Sequence, residues 1–228
     1  MGLGDGRDNG PRLDMTIFVV GLVVSFLLIC FYAFLPIPPK YSGAGISVLT
    51  YAGLGVFCFV LQREYRPRAE QLGLRVAMLL RGRALIWTVF GVAFTAAELA
   101  SMYWFAELLF STLRPHYIFS VQAQASSISR RPIAFLISAA VGPVLEELFC
   151  RGYLYLVLRQ NWGRRWAALV SSGVFAALHL TNILLAVVVF FASLAYVFLD
   201  NRAKSLAPSV VAHASYNVVL SLFKGSLT

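Results

Sequence analysis

VGPVLEELFCRGYLYLVLRQ, residues 141–160, is an apolar run with charges inside it. Glu146, Glu147 and Arg151 fall within six residues of a segment otherwise dominated by Val, Leu, Phe and Tyr. A charge held at the centre of a bilayer costs on the order of 2.5 kcal/mol or more, so such residues demand partners or a purpose. Glu147 and Arg151 are four apart and share one helix face, where they can pair. Glu146 lies about 100° around the same helix and is left over. Pro143, three residues before Glu146, removes a backbone donor and loosens the helix there. The cluster reads either as a buried ion pair that fixes packing or as the seat of a chemistry.

Composition sets the class around this stretch. The chain has 228 residues, 59% of them hydrophobic and 13% charged, with a mean hydropathy of +0.76. These values exclude an ordinary soluble domain and predict an all-α, polytopic transmembrane helix bundle. The net charge of +9 comes largely from arginines in short loops. In a membrane protein that is a topology signal, so no nucleic-acid partner is expected. Cys30, Cys58 and Cys150 lie in apolar runs without metal-ligand spacing and read as small core residues.

About seven spans follow from the hydropathy. Residues 1–14 form a polar, Gly-rich flexible tail, and 15–228 form one transmembrane domain. Spans are expected at 15–35 and 41–61, then a basic loop at 63–83, then a third span at 84–109 holding Glu98 and Glu107. These two glutamates are nine apart, on opposite helix faces, and a packing or interfacial role is expected for them. Residues 111–131 form a polar connection, and 132–158 form the fourth span around the opening motif. The uncharged run 166–199 has 34 residues. As one helix it would be about 51 Å long, against a bilayer core of about 30 Å, so it is split at Thr181 and Asn182. Residues 205–223 make the last span. With the loop 63–83 in the cytoplasm, 13 basic residues lie inside and 5 outside. The bias predicts a cytoplasmic N-terminus. Trp104 and Trp166 read as interface anchors.

Polar residues recur at one depth. His179 lies four residues after Phe175, and Asn217 four after His213, so each pair shares a helix face. Counted from the flanking basic residues, Glu146 lies about 20 Å deep, His179 about 21 Å and His213 about 14 Å. All three counts start from the same membrane face, which points to a shared site near mid-membrane.

The segments EELFCR, FAALH and HASYN, in this order on separate spans, resemble the three motifs of the CAAX prenyl protease and bacteriocin-processing family, also called the type II CAAX or Abi family. The Gly-Pro before the glutamates, the Gly after Arg151 and SLAPSVVAH before the last motif agree as well, and the resemblance covers about residues 131–224. Cys150 departs from the Phe that relatives often carry before the arginine.

The resemblance implies intramembrane proteolysis that depends on glutamate and uses no cofactor. By it, Glu146 and His179 hold and activate water, and His213 and Asn217 stabilise the tetrahedral oxyanion. Glu147 and Arg151 support the position of Glu146, with Phe175 as a further supporting residue. The implied partners are membrane lipid and a protein or peptide substrate with a lipidated, leader or sorting segment. The implied location is a plasma membrane in a bacterium or the endoplasmic reticulum in a eukaryote. Two alternatives stay open. One is a zinc metalloprotease with Glu146, His179 and His213 as ligands; the other is a non-catalytic membrane scaffold or immunity factor. A proton-coupled transporter would also bury Glu and His, but the chain shows no repeated halves.

Overall fold

The computed structural model describes residues 16, 19, 50–61, 63, 82–110, 135–179 and 183–226. The tail 1–14, most of the span 15–35, most of the loop 63–83, the connection 111–131 and the break at Thr181 and Asn182 lie outside the described residues, as do Cys30 and the side chains of Trp104 and Glu107.

All the regular structure among the described residues is helical. The elements are α1 (Thr50–Leu61), α2 (Gly82–Phe110), α3 (Gly142–Glu147), α4 (Tyr155–Leu178), α5 (Ile183–Ala203) and α6 (Ala207–Ser226). Two stretches of α2 and α5, Gly82–Ser101 and Ala186–Ala203, are long and apolar enough to cross a membrane, and α1 is a shorter apolar helix. The motif-bearing helices are interrupted or polar, which lowers their hydropathy over a continuous window.

Those interruptions have local causes. Pro143 lacks the N–H that an α-helix would use at that point. The chain widens just before it into a π-helical turn, Ile137–Val141, in which the Gly142 N–H reaches back to the Ile137 carbonyl. A second π-helical turn, Leu148–Leu154, follows α3 and carries Arg151. Such turns are rare and gather at functional sites. Farther on, Gly163 adopts φ 80°, ψ 170° and breaks α4 into two pieces. That conformation is essentially restricted to glycine. It lets the chain turn back beside Arg159, Arg164 and Arg165, where the exposed Trp166 also sits.

The long apolar run 166–199 is divided as its length demanded: α4 ends at Leu178, and α5 begins at Ile183. A short connection then leads into α6. Lys204 takes a left-handed φ of 55°. The Ser205 hydroxyl accepts a bond from the Ala207 N–H at 3.1 Å, and Asp200 Oδ1 accepts one from the Ser209 N–H at 3.0 Å. Two of the free donors at the start of α6 are thereby capped.

The faces of α2 show an inside-out pattern. Ala84, Thr88, Gly91 and Thr95 are buried, at alternating spacings of four and three, while Ile86, Val89, Phe90 and Phe94 are exposed. Small and polar side chains therefore point inward and large apolar ones outward, as lipid-embedded helices require. Gly91 marks a close approach to α6: a Cβ there would meet the Pro208 carbonyl oxygen at 3.1 Å. Thr95 Oγ1 and the Tyr196 hydroxyl are 3.2 Å apart, tying α2 to α5. Glu98 falls on the same inward stripe, and its Oε2 is buried without a hydrogen-bond partner. Cys58 and Cys150 are buried in the main core with Leu61, Phe149 and Tyr153, as expected of small apolar residues.

Candidate active site

Among the described residues, Glu147 is the most enclosed charged side chain, with no exposed surface. Arg151, one turn later, lies with Nη1 at 3.0 Å from Glu147 Oε2. The two atoms are close but not aligned as a hydrogen bond, so the contact is an ion pair. Arg151 Nη2 donates to the Ser193 hydroxyl on α5 at 2.8 Å. The guanidinium also stacks over the Phe175 ring, 3.9 Å from its centroid, with the Tyr196 ring at 5.9 Å. One arginine thus ties the Leu148–Leu154 turn to α4 and α5.

The other oxygen of Glu147 holds a histidine. His213 Nδ1 lies 2.8 Å from Glu147 Oε1. Paired with Arg151, Glu147 is a carboxylate and can only accept, so Nδ1 carries the proton and the ring turns Nε2 toward Glu146. His213 Nε2 is 3.8 Å from Glu146 Oε2. His179 reaches the same oxygen from another direction, with Nε2 at 4.0 Å. It sits just past the end of α4, where its backbone N–H bonds the Ala176 carbonyl at 3.0 Å. Its Nδ1 is 2.8 Å from the Phe175 carbonyl, which can only accept. The His179 proton is therefore also on Nδ1, leaving Nε2 as an acceptor in the neutral ring.

Glu146 Oε2 consequently faces two imidazole Nε2 atoms, both too far for a direct hydrogen bond. A separation of about 4 Å suits one water molecule bonded to both sides, at about 2.8 Å from each. The opposite oxygen, Oε1, accepts a 2.9 Å bond from the Tyr51 hydroxyl on α1. Phe175 forms the floor between these groups, its ring 4.7 Å from that of His179 and edge-on to His213 at 5.6 Å. Exposure is graded across the site. The side chains of Arg151 and Glu147 are 2% and 0% accessible, that of His213 9%, that of Glu146 17% and that of His179 31%. The cluster is closed off behind Glu147, and exposure rises past Glu146 toward His179.

Of the residues singled out from the sequence, Glu146, Glu147, Arg151, Phe175, His179 and His213 are brought into one cluster. Asn217 is half-buried on α6, one turn beyond His213. The short contacts of Glu147 go to Arg151 and His213, whereas Glu146 is held by Tyr51. The reason is the 100° between consecutive helix positions, which sends the two carboxylates to different neighbours. Among the described residues, no three His, Cys, Asp or Glu side chains come together with the geometry of a metal site. Sequence reading passed over Tyr51, Ser193 and Asp200.

Residues 128–219 match the family model described as type II CAAX prenyl endopeptidase Rce1-like. This segment is similar to Rce1-like domains. It contains both glutamates, Arg151, Phe175, both histidines and Asn217, so the whole cluster apart from Tyr51 comes from the Rce1-like segment. Type II CAAX prenyl endopeptidases are a protease family of integral membrane proteins. Neither a curated protein nor a solved structure matches the chain.

Proposed function

We propose that the protein is an intramembrane endopeptidase that cleaves a peptide bond in a lipidated or otherwise membrane-held substrate, with Glu146 as general base. The observation that carries the reading is the convergence of His179 Nε2 and His213 Nε2, at 4.0 and 3.8 Å, on one oxygen of Glu146. A water bonded to Glu146 Oε2 and His179 Nε2 gives both its protons to acceptors and keeps a lone pair for attack. As its oxygen adds to the substrate carbonyl carbon, one proton passes to Glu146. His213 Nε2 and Asn217 stabilise the oxyanion, the former in the imidazolium form, whose charge faces the Glu147 carboxylate. The C–N bond then breaks, and Glu146 returns its proton to the leaving nitrogen. The Rce1-like match supports a prenylated or similarly lipidated protein as substrate. A multi-pass arrangement of about seven spans, with a cytoplasmic N-terminus, would place the pocket within the bilayer beside such a lipid.

The test is Glu146→Gln, assayed in detergent or vesicles on a prenylated peptide. The amide keeps the shape but cannot take the proton, so turnover falls by a factor of about 100 or more while substrate binding persists. A strong chelator leaves the unmodified protein active. Turnover in Glu146→Gln close to that of the unmodified protein would overturn the reading. So would activity lost with stoichiometric zinc and regained on its return, which would make Glu146, His179 and His213 ligands.

A further inference from the structure

The geometry points to Tyr51, on α1 and outside the Rce1-like segment, as the residue that positions Glu146 for catalysis. The proposal rests on the reading of Glu146 as the base. Three observations converge on it. The Tyr51 hydroxyl donates to Glu146 Oε1 at 2.9 Å across 95 positions of sequence. The donor is a single O–H, so one carboxylate oxygen is occupied and the other, Oε2, is left facing the histidines. The third is the fit around the ring. A Cβ on Gly142 would stand 2.7 Å from the Tyr51 hydroxyl oxygen, 2.8 Å from Cζ and 3.1 Å from Cε1. No real side chain tolerates such contacts, so the missing Cβ of Gly142 is the space the phenol occupies.

Gly142 and Glu146 are four apart on one helix, so they share a face. The hydroxyl end of the phenol therefore lies against Gly142 and bonds Glu146 one turn on along the same face. A carboxylate side chain otherwise rotates freely about its last bond. With Oε1 anchored, rotation that would carry Oε2 away from His179 and His213 breaks a hydrogen bond in a water-poor site. No hydrogen bond joins Tyr51 to either histidine among the described residues. It acts through Glu146 and is a positioning residue.

The experiment compares Tyr51→Phe, Gly142→Ala and the double variant with the unmodified protein, using kcat and KM on a prenylated peptide. Tyr51→Phe keeps the ring and removes only the donor. A fall in kcat of about 10-fold is expected, with KM within about 2-fold, because the base is misaligned while the substrate site is intact. Gly142→Ala displaces the phenol and is expected to lower kcat similarly. The double variant is expected to be no worse than the poorer single variant, since both remove one interaction. Tyr51→Phe with unchanged kcat, alongside an inactive Glu146→Gln, would overturn the positioning role alone. A fully active Glu146→Gln would instead overturn the base assignment beneath it. Additive losses from the Tyr51 and Gly142 substitutions, or a loss confined to KM, would also refute the proposal. A circular dichroism melt of each variant identifies any failure to fold; for a variant that fails, Tyr51→Leu, which carries no donor, takes its place, expected to lower kcat, and retained kcat there refutes the role.

Discussion

Arg151→Met is expected to destabilise the protein far more than removing Arg151 and the Glu147 charge together. The unmodified pair holds Nη1 3.0 Å from Oε2, with Glu147 wholly inaccessible. Replacing the arginine strips Glu147 of its guanidinium partner, and the Ser193 hydroxyl and Phe175 ring of their contacts. Breaking one side of a buried pair costs about 3–5 kcal/mol, because the remaining charge stays desolvated. For a chain of this length each kcal/mol moves Tm by about 2–4 °C, so the loss amounts to about 6–20 °C. Glu147→Gln added to Arg151→Met removes the stranded charge, and its amide oxygen can still accept the His213 Nδ1–H. The double variant should therefore recover at least half of the loss. Buried Cys58 and Cys150 provide the readout: a thiol-reactive fluorophore reports their exposure as purified protein is heated in detergent. An exposed pair would be worth about 1 kcal/mol at most, or about 4 °C. A single-variant shift below that value, or a double variant no more stable than Arg151→Met, would refute the reasoning.

Gly163→Ala should lower stability by about 1–3 kcal/mol, because φ 80° and ψ 170° exclude a side chain even though nothing lies within 4 Å of the added Cβ. The same melt checks it, and an unchanged Tm would mean that the chain does not turn at Gly163 in this way. The positive-inside bias predicts that the loop 63–83 and the turn near Arg164 face the cytoplasm. Arg68→Cys and Arg164→Cys should resist a membrane-impermeant reagent applied to intact cells, and strong labelling of both would reverse the orientation.

Much of the site was legible because it is written within single helices. The pairing of Glu147 with Arg151 follows from a spacing of four, and the closeness of Glu146, His179 and His213 from counting helical rise to a common depth. The division of the run 166–199 followed from length alone. What could not be read are partners supplied by other helices. Ser193 is the single serine of α5, a hydroxyl that a helix can satisfy on its own backbone, and nothing in its neighbourhood announces the 2.8 Å bond to Arg151. The inward stripe of α2 was partly available: Ala84, Thr88, Gly91, Thr95 and Glu98 recur at four and three, yet hydrophobicity alone hides a face made of small residues among large ones. Depth counting would have flagged Tyr51. It lies 12 residues from Arg63, about 18 Å by helical rise, at nearly the depth counted for Glu146. A tyrosine in a span reads as an interface anchor by default, which is why its position drew no attention.

The same step of helical geometry explains why two adjacent glutamates are both present. Consecutive side chains diverge by about 100°, so one helix can serve two different neighbours within one turn. Glu147 turns into the sealed side, where Arg151 fixes its charge and His213 Nδ1 fixes its second oxygen. Glu146 turns to the open side, where Tyr51 takes one oxygen and leaves the other facing the histidines. His213 stands between them, bonded through Nδ1 to the first carboxylate and presenting Nε2 to the second. A single glutamate could not do both, because the charge that orients the imidazole must be desolvated and paired, whereas the one that works on water must keep an oxygen open. The tyrosine arrives from α1, outside residues 128–219, so the cluster of the Rce1-like segment is completed by a helix that the family match does not include.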